Sequence, residues 1–205
     1  MVRPLQAHPR RSVLACRSVE RRRALFVKSR TPDSLFAVGS KVVYPSHGVA
    51  EIIRREKREF NGEKRDYLVL MVPQQGWGTS GGMTLSVPED AAADLGVRAA
   101  ISSEDAAEVL DVLAVRDVRV PANWSRRFKN HQEKLKSGDV YECAEVVRNL
   151  THRERSGSLS TAEKSMQIRA RHILISELSV SWSVDLEAAE ARVDDVLAAS
   201  APAPS

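Results

Sequence analysis

Residues 41–72 read KVVYPSHGVAEIIRREKREFNGEKRDYLVLMV. Three β-prone runs alternate here with two turn signals. KVVYP stops at Pro45, whose ring removes a backbone donor, and Ser46-His47-Gly48 reads as a tight turn. VAEIIRREKREF continues as a second strand, and Asn61-Gly62 is a hairpin dipeptide. RDYLVLMV is dense in β-formers and reads as a well-buried third strand. Beyond it, QQGWGTSGG (74–82) is a glycine-rich loop and MTLSVP closes a fourth strand. Short strands joined by tight turns over about 50 residues point to a small, curved, antiparallel barrel of the Tudor or SH3 kind.

From Pro88 the period becomes helical. PEDAAADLG (88–96) is expected to form a helix with Pro in its first turn and Gly96 as its stop. SSEDAAEVLDVLAV opens on serines and carries an apolar stripe of Val109, Leu110, Val112 and Leu113. NWSRRFKNHQEKLKSG ends at Gly138, and DVYECAEVVRNLTHRER has Asp139 and Glu142 at capping-box spacing. STAEKSMQIRARHILISELSV repeats that device with Ser160 and Glu163, and DLEAAEARVDDVLAAS is a final acidic helix. The expectation is an α+β chain: a small N-terminal antiparallel Tudor/SH3-like β-barrel, then an all-α domain of five or six helices. The expected divisions are a basic, disordered extension (1–34), the barrel (35–88), the helical domain (89–200) and a short tail (201–205).

Among 205 residues no apolar run approaches the length of a membrane span, and two cysteines, Cys16 and Cys143, offer no disulfide framework. The formal charge of +4 is unevenly spread. Residues 1–34 hold nine basic and two acidic residues, which leaves 35–205 at −3. Within that body, 122–172 holds eleven basic and six acidic residues, while 177–205 sets Arg192 against six acids. A basic middle in an acidic body suggests a localised site for a polyanion.

Catalytic chemistry finds no support. The five histidines are scattered, with no ligand spacing to a cysteine or carboxylate, so no metal or cofactor is expected. Cys143 shares a helix face with Val140, Val147 and Leu150 and reads as a core residue. The 74–82 loop lacks the P-loop lysine and leads into a strand. The basic stretch remains, with Arg126, Arg127 and Lys129 on one helix, Arg148, Arg153 and Arg155 on the next, and Lys164, Arg169 and Arg171 on a third. Such cations could neutralise phosphates without reading sequence, or form a solvated face. Trp124 shares a helix face with Phe128 and Leu135, the pattern of a core residue. It also starts its helix beside cations, as a protruding wedge would. From the residues alone both readings stand.

FAVGSKVVYPSHGVAEI, NGEKRDYLVL, VPEDAAADLGVR, NWSRRFKNHQEKLKSGDVYECAEVVRNL and LSTAEKSMQIRARHILISEL, taken in order, resemble the CarD family of bacterial RNA polymerase-binding transcription regulators over roughly 35–200. The barrel alone also resembles the polymerase-binding domain of the transcription-repair coupling factor. The resemblance implies a Tudor-like domain docked on the polymerase β subunit and a helical domain at promoter DNA, on the upstream edge of the bubble. It implies a minor-groove wedge at Trp124 that stabilises the open complex, with Arg126, Arg127, Lys129, Arg153 and Lys164 on the DNA side. Arg58 matches one of two family arginines at the polymerase interface. Ser86 stands where the other is expected, and Thr151 where a tryptophan is expected. A cytoplasmic, nucleoid-associated monomer without enzymatic activity would follow. The rival readings are a sequence-specific repressor using a helix-turn-helix and an adaptor that binds only protein.

Overall fold

The computed structural model describes residues 36–45, 47–60, 63–73, 82–116 and 120–200. Four strands, β1 (Lys41–Tyr44), β2 (Gly48–Phe60), β3 (Glu63–Val72) and β4 (Met83–Pro88), pair antiparallel in chain order as one curled sheet, an open half-barrel. Phe60 pairs with Glu63, so the Asn61-Gly62 step joins β2 to β3, although those two residues lie outside the described ones. The period-two pattern turns Val42, Ala50, Ile52, Leu68, Leu70 and Val87 inward, and all are buried. A bulge between Ile52 and Arg54 re-registers β2 against β3. Beyond it both strands carry exposed charge.

The expected helix at 88–96 does not form. Pro88 stays in β4, paired with Tyr67, and the Glu89 amide donates to the Asp66 carbonyl, which holds the chain to the sheet. Gly96 then turns the chain at φ +81°. The seven residues between are too few to recover the cost of helix nucleation. They form successive turns, with Ala91 and Ala92 amides bonded to the carbonyls of Pro88 and Glu89. Arg98 returns to the sheet and exchanges two backbone hydrogen bonds with Val43, which closes the outer edge of β1.

Five helices follow: α1 (Ser103–Ala114), α2 (Trp124–Ser137), α3 (Val140–Ser156), α4 (Thr161–Trp182) and α5 (Leu186–Ala199). Each begins at a capping residue, of which Asp139 and Ser160 were expected from their spacing to Glu142 and Glu163. Ser102, Asn123, Asp139, Ser160 and Asp185 all accept amide protons of the first turn. Their common core is built on Leu113, Leu150, Leu174, Leu178 and Leu197.

Sheet and helices meet at the β1–β2 turn. The Val49 amide donates to Ser176 Oγ at 3.2 Å, and the Arg98 guanidinium bonds the Glu177 carboxylate and the Gly138 carbonyl. Gly48 sits at φ +79°, where a Cβ would lie 2.5 Å from Ser176 Oγ and 3.3 Å from Ile173 Cα. Gly48→Ala therefore combines left-handed strain with overpacking and is expected to destabilise by about 2–4 kcal/mol. The shift of the urea midpoint measures it, and a midpoint equal to wild type would refute the close approach.

Candidate nucleic-acid interface

The fold divides the eleven basic residues of 122–172 in two. Five turn inward. Arg127 is only 2% exposed, Arg148 donates to the Val112 carbonyl, Arg155 donates to the Leu197 carbonyl, Lys134 pairs with Glu145, and Arg171 bridges Glu190 and Asp194. Arg126, Lys129, Lys136, Arg153, Lys164 and Arg169 lie at the surface. Of the six residues expected to face DNA, Arg127 is thus the exception. A guanidinium spent on buried acceptors cannot also reach a phosphate.

Where Arg127 goes explains the local architecture. Its Nε and Nη2 donate to Glu163 Oε1 at 3.0 and 2.9 Å, and its Nη1 donates to the carbonyls of Pro121 and Ala122. Glu163 is 1% exposed. Its other oxygen accepts from the Ser160 amide at 3.1 Å and the Ser160 hydroxyl at 2.9 Å, which completes the capping box of α4. Burial works to raise the Glu163 carboxyl, but hydrogen bonds from Ser160 and Arg127 outweigh it and hold the group below the ordinary carboxylate range. Arg153 Nε approaches Glu163 Oε1 at 3.5 Å from α3. One carboxylate therefore gathers the start of α2, the end of α3 and the start of α4.

Trp124 stands at this junction and is 46% exposed. Its ring stacks on Phe128, centroids 5.3 Å apart and planes 20° apart, and its Nε1 donates to Ser160 Oγ at 3.3 Å. Lys164 projects next to Glu163, while Arg126 and Lys129 project from the outer side of α2. The result is a partly bare indole fixed at two points, on a body whose surface cations come from three helices.

His131 lies one turn below Arg127, buried, with no hydrogen-bond partner for Nδ1 among the described residues. Burial, then the charges of Lys134 and Arg127, against the weaker pull of Glu163 and Glu145, push its pKa from 6.5 to about 4. As pH falls through 6.5 the unfolded chain takes up this proton and the folded one does not, so stability falls towards pH 4. The contribution is about 2–3 kcal/mol. Urea unfolding at about pH 7 and about pH 4.5 should show a smaller loss for His131→Leu than for wild type. Parallel losses would exclude His131 as the source.

On the sheet, the register assigns Arg58 and Ser86 to one face. Cross-strand partners share a side, and the rows run Arg58–Arg65, Glu56–Tyr67–Pro88 and Arg54–Val69–Ser86. Arg58 donates twice to Glu56 and lies over the Tyr67 ring at 5.6 Å, while Ser86 is exposed. Arg54 occupies the same row as Ser86 and pairs with Glu56 at 2.5 Å. The outer edge of β4 has no partner strand among the described residues. The Trp77 loop lies outside them. Thr151, at the position where a tryptophan was expected, is buried with its hydroxyl unpartnered among the described residues.

The sequence reading passed over two parts of this site. Ser160 and Glu163 were legible as a capping box, but their hold on Trp124 and Arg127 spans 36 residues and leaves no local signal. No described His, Cys, Asp and Glu residues group as a metal site would require, and no described helix is long and apolar enough to cross a membrane.

Comparison with known proteins assigns this curled sheet and helical body to a class, that of transcription regulators. The family model for the CarD-like/TRCF RID domain matches residues 36–101, and that for the CarD C-terminal domain matches 108–194. A Bacillus subtilis (strain 168) protein named "Putative transcription factor YdeB" is 31% identical over 157 residues, covering 71% of this chain and 92% of the relative. The chain belongs to the CarD family.

Proposed function

We propose that the protein binds the RNA polymerase β subunit through its sheet and stabilises the promoter open complex by setting Trp124 into the minor groove at the upstream edge of the bubble. The observation that carries the reading is the half-exposed indole held at the start of α2, on a helical body that also presents Arg126, Lys129, Arg153 and Lys164 at its surface. Apolar wedges flanked by cations suit an unstacked base step, where the ring contacts bases and the cations hold phosphates. Cations that contact only phosphates read no sequence, so promoter preference would follow from how easily each bubble opens. The module over 35–88 tethers and the module over 89–200 grips. Tethering raises the local DNA concentration, so weak contacts suffice and no dimer is needed. The sheet face with Arg54, Arg58 and Ser86 is the docking surface on this reading, with Arg54 supplying a second cation in the row where Ser86 has none. The action needs no enzymatic step, metal or cofactor, and takes place in the cytoplasm on the nucleoid.

The test uses purified polymerase and promoter DNA challenged with a competitor. Added protein is expected to lengthen the open-complex lifetime severalfold, and equal lifetimes would sink the proposal. Arg126→Ala with Lys129→Ala should lower the slope of log affinity against log salt by about 2, since each cation releases close to one counterion. An unchanged slope would favour a purely protein-binding adaptor.

A further inference from the structure

The capping box of α4 does more than start a helix. Its serine hydroxyl has one proton and two acceptor sites, and all three are used. Ser160 Oγ donates to Glu163 Oε2, accepts the Glu163 amide at 3.3 Å and accepts the Trp124 Nε1 proton at 3.3 Å. The oxygen that caps α4 is therefore the oxygen that holds the indole of α2. Glu163 orients that hydroxyl, and the same carboxylate anchors Arg127, which clamps the Pro121 and Ala122 carbonyls just before Trp124. Phe128 stacks behind one ring face. With Nε1 bonded on one side and one face covered, the indole has little rotational choice left.

We propose that Ser160 and Glu163 form a socket that presets the orientation in which Trp124 meets DNA, so that Ser160 is a positioning residue for the wedge. The inference rests on the wedge reading above. An indole free to rotate about its two side-chain bonds would lose rotamer entropy on insertion, whereas a socketed one has already lost it on folding. The hydrogen bond also occupies the polar edge of the ring. Arg153 of α3 enters the same arrangement through its 3.5 Å contact with Glu163.

The test compares Ser160→Gly, Ser160→Thr and Trp124→Ala in the full chain. Glycine removes the hydroxyl yet remains an acceptable N-cap, and threonine restores both functions. The first readout is fluorescence anisotropy of Trp124, with Trp77→Phe and Trp182→Phe in the background so that one indole reports. Ser160→Gly should lower the anisotropy and Ser160→Thr should restore it, with the melting temperature of all three near the parent's. The second readout is open-complex lifetime. Ser160→Gly should shorten it by about three- to tenfold, the value of one hydrogen bond, with polymerase binding and salt slope unchanged. Anisotropy equal to the parent's would overturn the socket. So would a parental lifetime in Ser160→Gly when Trp124→Ala is short. A parental lifetime in Trp124→Ala itself would instead overturn the wedge, whatever Ser160 does.

Discussion

Glu163→Ala is expected to destabilise the protein by about 3–5 kcal/mol, because it strands the buried guanidinium of Arg127 without its counter-charge. Arg127 is 2% exposed and cannot swing to water without dragging the Pro121–Ala122 segment that it clamps. The Ser160 amide and hydroxyl lose their acceptor in the same stroke. Arg127→Met should cost a similar amount, since it leaves the Glu163 carboxylate buried beside Ser160. The double variant Arg127→Met/Glu163→Leu should be distinctly more stable than the sum of the single losses predicts. Removing both charges lifts a desolvation penalty that each single variant exposes. Chemical denaturation of the four proteins completes the cycle. Additive losses would mean that the two residues act independently, contrary to their 2.9–3.0 Å hydrogen bonds.

Trp124→Ala should shorten the open-complex lifetime by about five- to a hundredfold, the range that one aromatic–base stack supports. Its cost to the free protein should be only about 1 kcal/mol, since the ring gives up one stack and one long hydrogen bond at a wet surface. That separation makes the experiment decisive, because the variant stays folded under the conditions in which its lifetime is read. Polymerase binding should not change, since Trp124 belongs to the helices and the proposed docking face belongs to the sheet. A wild-type lifetime would refute the wedge. A lifetime lost together with polymerase binding would place Trp124 in the wrong interface.

The strands and the five helices were legible from residues 36–200 because each is a local choice. Strands β1 to β4 follow from β-formers between Pro45, Gly48 and Asn61-Gly62, and the starts of α3 and α4 from the capping residues Asp139 and Ser160. The helix expected at 88–96 failed for a reason outside that window: Glu89 is bonded to Asp66, a residue of another strand. The division of charge marked the basic stretch. It could not say which cations point outward. On the wheel of α2, at about 100° per residue, Trp124 falls between His131 and Leu135, the buried residues of that helix. Its angle is that of a core residue, and only its axial place, at the first turn where the covering helices end, leaves it bare. Arg127 lies at the edge of the same face one turn further in, and so it is buried. A helical wheel gives angle and not depth, and depth is set by neighbours that the chain brings from 36 residues away. Sequence thus fixed the elements and the charged neighbourhood by short-range rules. Packing alone determined which basic residues remained outside and which hydroxyl took hold of the indole.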